Sequence, residues 1–255
     1  MISLAEFKNY LGLTTSDKDN ILNTFINSAI DKINSECNRT FEKKDHTEYI
    51  SCSQSYDTLF LKNSPVNSVT SIQYYNGEEY TDLIDGSGAS IALNVENRTD
   101  YIVLRGYSAF MKDLKIVYNA GYKFITGTGT ARGDEGSTTI TGTGTLFSTE
   151  AAVNDYISIN GNRYRITAIA SNTSLTISSA VPEDVGLNTY TISNVPDDIR
   201  NVLFKVASMM YLESGQGKDL LYKSSEGVGS GASESVSYKE LDIKDFISNY
   251  RFINV

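Results

Sequence analysis

The sequence predicts an α+β fold: a helical core with a small antiparallel sheet, plus an inserted all-β barrel or sandwich domain. Near both ends of the 255-residue chain, apolar residues recur three and four positions apart, which is typical of amphipathic helices. Between about residues 47 and 122 apolar and polar residues alternate, which indicates strands. Residues 124–194 contain 14 Thr in 71 positions without helical periodicity, which favours a separate β domain there.

Two helices are expected at the N-terminal end. Ser3 is a suitable N-cap for a short helix, and Ser16 or Asp17 can cap a longer one that follows. Each predicted helix has one apolar face, formed by Leu4, Phe7 and Leu11 in the first and by Ile21, Leu22, Phe25, Ile26, Ala29, Ile30 and Ile33 in the second. The second pattern extends over more than three turns and predicts the longest helix of this part.

The alternating region predicts six strands joined by turns. The predicted strands are residues 47–51, 58–61, 69–75, 79–83, 101–104 and 114–118. Asn76-Gly77 between two of them predicts a type I′ hairpin, in which both central residues have positive φ. The tyrosines fall mostly at strand positions, which predicts half-buried sheet residues.

The Thr-rich block predicts a self-contained domain. The hexamer ITGTGT at residues 125–130 recurs unchanged at 140–145, as expected of two similar strand-and-turn units. Asn160-Gly161 predicts a further hairpin. We therefore expect residues 124–194 to be an inserted β domain, with residues 1–123 and 194–255 forming the core.

Helical character returns after the Thr-rich block. Pro196 suits the first position of a helix, and the two aspartates after it complement the positive helix end. An apolar stripe then runs to about Glu213. A Gly/Ser-rich stretch at residues 224–237 predicts a flexible arm, which begins at about residue 224. The arm leads into a short amphipathic segment that contains Leu241, Ile243, Phe246, Ile247 and Tyr250, followed by Arg251.

The composition indicates no catalytic, metal or cofactor site. His46 is the only histidine and lies in a polar segment predicted to be a surface connector. Cys37 and Cys52 are too few and too scattered for a metal site and are expected to be reduced thiols. The 22 basic and 31 acidic residues give a formal net charge of −9, which argues against direct nucleic-acid binding. No apolar run is long enough to span a membrane, and no signal peptide is expected.

The order of several short motifs is informative. CNRTF ends the long predicted helix at residues 37–41, FLKNSPVNSV follows at 60–69, and IVYNAGY at 116–122. VPDDI then begins a helix at residues 195–199, and Tyr-Arg stands at 250–251. This order resembles the head-tail connector (adaptor, or head-completion) proteins of tailed bacteriophages. The block at 124–194 departs from that family, which usually has a short loop there.

The resemblance implies a non-enzymatic virion protein without cofactors. Such proteins form a ring, commonly of twelve subunits, that docks beneath the portal, extends the DNA channel and presents a surface to the tail or to further connector proteins. It implies a location in the virion neck after assembly in the host cytoplasm, with DNA only passing through and no membrane partner. The implied contacts with the portal or a neighbouring subunit are Leu241, Ile243, Phe246, Ile247, Tyr250 and Arg251.

Two other functional classes remain open at this point. The Thr-rich domain is also compatible with a tail-associated protein that binds carbohydrate or a cell surface. A wall-degrading hydrolase would need paired carboxylates, which spacing alone does not identify. The absence of Trp, a common sugar-binding residue, counts against the hydrolase.

Overall fold

The computed structural model describes residues 1–51, 58–83, 93–94, 101–104, 113–215 and 240–252. Predicted features outside these ranges, among them Cys52 and the Gly/Ser-rich arm, are therefore not described. The chain divides into two compact units. Unit 1 comprises Met1–Glu36 and Lys123–Tyr250, and unit 2 comprises Cys37–Tyr122 and Arg251–Val255.

The described helices all belong to unit 1. They are α1 (Leu4–Leu11), α2 (Asp19–Glu36), α3 (Phe147–Glu150), α4 (Asp197–Glu213) and α5 (Glu240–Tyr250). Ser3 caps α1, since its side chain accepts from the Glu6 amide while Glu6 bonds back to the Ser3 amide. Pro196 was predicted at the first helical position but is the N-cap of α4, so the helix begins one residue later, at Asp197. The predicted helices at both ends of the chain are thus confirmed.

Unit 2 consists of two small antiparallel sheets. Its strands are β1 (Lys44–Ile50), β2 (Thr58–Phe60), β3 (Val66–Tyr75), β4 (Tyr80–Asp82), β5 (Leu93–Asn94), β6 (Tyr101–Leu104) and β7 (Leu114–Ala120). One sheet has the order β1-β7-β3-β4 and the other β2-β6-β5. Both contribute to one core, because Leu59 of β2 belongs to the same buried cluster as Ile72 of β3 and Ile116 of β7.

The Thr-rich block forms one antiparallel sheet of eight strands. These are β8 (Phe124–Thr126), β9 (Thr130–Gly133), β10 (Thr139–Thr143), β11 (Tyr156–Ile159), β12 (Asn162–Ser171), β13 (Ser174–Ile177), β14 (Val185–Asn188) and β15 (Tyr190–Ser193). Their order is β14-β9-β10-β13-β12-β11-β15-β8. Alternate residues of these strands bury into a single cluster that includes Ile140, Ile166 and Ile192.

Of the two predicted hairpin turns, one is confirmed and one has the wrong turn type. Asn160 and Gly161 have φ of 50° and 79°, and Ile159 pairs with Asn162, as a two-residue type I′ turn requires. At the other site Tyr75 pairs with Tyr80, so the loop has four residues. The Asn76 side chain organises this loop by accepting from the amides of Glu78 and Glu79 at 2.8 and 2.9 Å.

The predicted fold class is wrong, although most of its elements are right. The protein is mostly β and is not a helical core with a small sheet attached. In the described ranges the 47–122 strands of unit 2 contribute to a buried cluster whose members all lie outside the helices. The Thr-rich sheet does not close in these ranges into the predicted barrel or sandwich, because β14 and β8 are its two edges. Periodicity identified the strands, but it does not determine which elements share a core.

Candidate interaction surfaces

The predicted contact residues near the C-terminus lie on or just after α5. The Leu241 backbone is in the helix, but its side chain is outside the described part. Ile243 and Ile247 are half-buried, and Arg251 after the helix is exposed. Phe246 is buried, and its ring stacks on that of Tyr250 at 4.5 Å. Of the six residues, the structure therefore brings Phe246 and Tyr250 together.

α5 is anchored to α4 within unit 1. The Tyr250 hydroxyl donates to the carboxylate of Asp198 in the first turn of α4. Phe246, four residues earlier, lies on the same face of α5 and is only 6% exposed. Phe246 and Tyr250 thus hold α5 in place.

Unit 2 exposes a cluster of tyrosines on its four-stranded sheet. We define the four-strand face as Tyr49, Tyr75, Tyr80 and Lys115. Tyr49 is 63% exposed and Tyr75 is 40% exposed. The Tyr80 ring lies 5.7 Å from that of Tyr49 and 5.4 Å from that of Tyr75. The ammonium of Lys115 lies 6.0 Å from the Tyr80 ring centre, within cation–π range.

The three-stranded sheet carries a second exposed aromatic pair. We define the three-strand face as Phe60 and Tyr101, which are direct partners across β2 and β6. Phe60 is 64% exposed, and the two ring centres are 5.7 Å apart. Leu59 beside it is buried in the shared core, so Phe60 points outward because successive strand residues face opposite sides.

The sequence interpretation missed these two faces. It treated the tyrosines as half-buried, whereas Tyr118 is fully buried and Tyr49 is largely exposed. The sequence does contain a signal for these exposed faces, namely two adjacent apolar residues within one strand, as in Tyr49-Ile50 and Leu59-Phe60. One residue of each such pair must face away from the core.

A buried ionic network ties α1 and α4 to the eight-stranded sheet within unit 1. Glu6 of α1 accepts from Arg200 Nη2 of α4 at 2.7 Å and from Ser158 Oγ of β11 at 2.5 Å. It also accepts from the amide and hydroxyl of Ser3 at 2.8 and 3.0 Å. Four donors thus satisfy a carboxylate that is only 5% exposed.

The network continues to the start of α4. Asp197 accepts from both Arg200 and Arg163, and Arg163 Nη2 donates to the Val195 carbonyl at 2.7 Å. The Arg163 guanidinium lies 3.5 Å from the ring centre of Tyr156. Burial, together with repulsion from Arg200, lowers the pKa of Arg163. The network contains two carboxylates, Glu6 and Asp197, and two guanidinium groups, Arg163 and Arg200, so its charges balance.

Three of the motifs behind the family resemblance, at residues 37–41, 60–69 and 116–122, lie in unit 2. The Tyr118 hydroxyl donates to Glu48 Oε2 at 2.8 Å and accepts from the Asn63 amide at 3.2 Å. The Gly121 amide donates to the Pro65 carbonyl at 2.9 Å. Burial raises the pKa of Tyr118 far above its usual value, so the phenol stays protonated. These residues have a structural role, since they join β7 to the segment before β3.

His46 lies in β1, so its predicted position in a surface connector is wrong. Its ring centre is 5.4 Å from that of Tyr118, and its buried Nε2 has no hydrogen-bond partner among the described residues. Burial, with Lys44 and Lys62 nearby, lowers the pKa of His46 below 6.5, whereas Asp45 opposes this shift.

The folded state therefore favours neutral His46, which predicts a pH dependence. Stability from this group is present above pH 6.5, the unfolded value, and is lost as pH falls through 6.5 toward the folded pKa. Because His46 is the only histidine, one imidazole signal in an NMR titration reports it. A midpoint at or above 6.5 would contradict this prediction. In His46→Gln, the loss of stability in this pH range should disappear.

The described residues form neither a cluster that could hold a metal ion nor a membrane-spanning helix. No group of three or more His, Cys, Asp or Glu side chains in these ranges is arranged to hold a metal ion. None of the helices described is both long and apolar enough to cross a membrane.

A model of the head completion protein family matches residues 1–128, half of the chain. The chain belongs to the head completion protein family. This confirms the resemblance to phage head-tail connector proteins and assigns a structural role in bacteriophage virion assembly, at the junction of head and tail.

The other comparisons concern curated proteins and solved structures. A search among curated proteins found no match. A solved structure described as the neck of an empty GTA particle computed with C6 symmetry is similar with a TM-score of 0.46 and 15% sequence identity. The alignment covers 100% of this chain and 91% of that one.

Proposed function

We propose that the protein forms a ring beneath the portal that joins the capsid to the tail and extends the DNA channel, without enzymatic activity. The family match over residues 1–128 carries this proposal. The ring contains twelve copies, sits in the virion neck and assembles in the host cytoplasm. Its partners are further copies of itself, the portal, and tail or other connector proteins.

The charge of the chain suits a channel through which DNA passes. The formal net charge is −9, and like charges keep a phosphate backbone from adhering to a surface. DNA is therefore proposed as cargo in transit and not as a bound ligand.

In this proposal, residues 1–123 and 194–255 form the connector core, and 124–194 form an inserted β domain. The ends of the insertion are adjacent, which supports this division: the Lys123 amide donates to Asn194 Oδ1 at 2.6 Å, and the Asn194 amide donates to the Lys123 carbonyl at 3.1 Å. A segment with adjacent ends can be inserted without moving the strands on either side.

The direct test is to mix the purified full chain with its portal protein and measure particle mass by mass photometry, followed by electron microscopy. We expect rings of discrete mass on the portal. A chain that stays monomeric and does not bind the portal would overturn the proposal. Rings with a copy number other than twelve would overturn only the proposed stoichiometry.

Two variants test the proposed C-terminal contacts, one at an exposed residue and one at a buried residue. Arg251→Glu reverses an exposed charge and should weaken portal binding about 3–10-fold without changing the melting temperature. Phe246→Ala should instead release α5 from α4, visible as faster amide hydrogen exchange over residues 240–250. Unchanged portal binding by Arg251→Glu would remove Arg251 from the proposed contacts.

A further inference from the structure

The two aromatic faces of unit 2 lie on opposite sides of one core. On the four-stranded sheet, Ile50 packs against the shared core and its neighbour Tyr49 points outward. On the three-stranded sheet, Leu59 lies in that core and Phe60 points outward. The two sheets share one core, so their outer faces point in opposite directions.

Both faces have the chemistry of protein contact surfaces. Aromatic residues are enriched in protein interfaces because they bury a large area with few rotatable bonds. Here the exposed rings are clustered, with centre distances of 5.4 and 5.7 Å on the four-strand face and 5.7 Å on the three-strand face. Single exposed apolar residues need no explanation, but clusters indicate a partner.

The chemistry of the two faces favours a second copy of this chain as that partner. Two chains of net charge −9 repel each other, so a contact between copies gains from a cation that meets an uncharged surface. The four-strand face has the cation Lys115.

The two faces are also chemically complementary. The described side chains of the three-strand face, Phe60 and Tyr101, present rings without a charge. An ammonium group is attracted to the face of an aromatic ring. Lys115 already lies within reach of one ring of its own chain and can approach those of a neighbour.

We infer that the four-strand face of one copy packs against the three-strand face of the next copy in the ring. Different faces on opposite sides produce a heterologous contact, which repeats from copy to copy and forms a ring when the rotation between successive copies closes. A contact of each face with its own copy would give isolated dimers instead. This inference rests on the proposed ring and specifies which surfaces build it.

Photo-crosslinking in the assembled ring tests the contact. Benzoylphenylalanine replaces Tyr49 in the full chain, and assemblies mixed from ¹⁴N- and ¹⁵N-labelled chains identify crosslinks between copies by mass spectrometry. We expect crosslinks to the peptides that contain Phe60 or Tyr101. The same probe at Tyr10, an exposed aromatic residue of unit 1, is the control and should not reach those peptides.

The outcomes separate this inference from the proposed function. Rings that form while the Tyr49 probe reaches only the portal, or other surfaces of a neighbour, would overturn the inference and leave the ring intact. A chain that never assembles would overturn both. Phe60→Ser should weaken ring assembly about tenfold or more with an unchanged melting temperature, whereas Tyr10→Ser should not. Equal assembly by both variants would also contradict the inference.

Discussion

Glu6→Ala is expected to lower the free energy of unfolding by about 3–5 kcal/mol, because it leaves the buried Arg200 guanidinium without its carboxylate partner. It also removes the acceptor for Ser158 and half of the capping box at Ser3. The measurement is chemical denaturation followed by circular dichroism. Glu36→Ala, at an exposed position at the end of α2, is the control and should change stability by no more than about 0.5 kcal/mol.

A double-mutant cycle checks that the loss comes from the ion pair. Arg200→Ala removes the other partner, so the double variant should lose clearly less than the sum of the two single losses. Additive losses would show that Glu6 and Arg200 act independently, contrary to the geometry. A loss below about 1 kcal/mol for Glu6→Ala would show that the network contributes little to stability.

Local features of the fold were predictable because their causes are local in sequence. α1 follows from the Ser3 capping box, α2 from its apolar stripe, and the turn after β11 from Asn160-Gly161. Each depends on residues within a few positions of one another. The loop after β3 shows the limit, since the Asn76 side chain organises four residues where a two-residue turn was predicted.

The architecture depends on contacts between residues far apart in the chain. Glu6 meets Ser158 and Arg200 across separations of 152 and 194 residues. Periodicity marks Glu6 only as a polar residue of an amphipathic helix and predicts an exposed position. The same kind of distant pairing decides which sheets share a core. The predicted fold class was therefore wrong, although most strands were identified.

The candidate surfaces were only partly predictable for a related reason. An alternating pattern shows that Tyr49 and Ile50 point to opposite faces, but not which face is covered. Leu59, Ile72 and Ile116 from three strands cover one face of each sheet and leave the aromatic residues on the other. Similarly, the amphipathic pattern near the C-terminus predicted α5, whereas its packing on α4 determines that Phe246 is buried.

Gly121→Ala is expected to cost about 3–5 kcal/mol, because two separate penalties coincide at this position. The φ of +104° is one that side chains rarely adopt, which costs about 1–3 kcal/mol. An added Cβ would lie 2.4 Å from the Glu42 carbonyl oxygen and 2.8 Å from the Lys43 amide nitrogen, so the backbone would have to move.

Gly77→Ala separates the two penalties. Gly77 has a similar φ of +109°, but a Cβ there would meet nothing within 4 Å, so only the backbone strain remains. We therefore expect Gly77→Ala to cost about 1–2 kcal/mol in the same denaturation experiment. Equal losses for the two variants would show that the close approach to Glu42 has no cost. In the Ala120-Gly121-Tyr122 motif the Gly121 amide donates to the Pro65 carbonyl and the Tyr122 amide to the Phe41 carbonyl, so the motif holds two other segments. A larger loss at Gly121 would explain physically why this motif contains glycine.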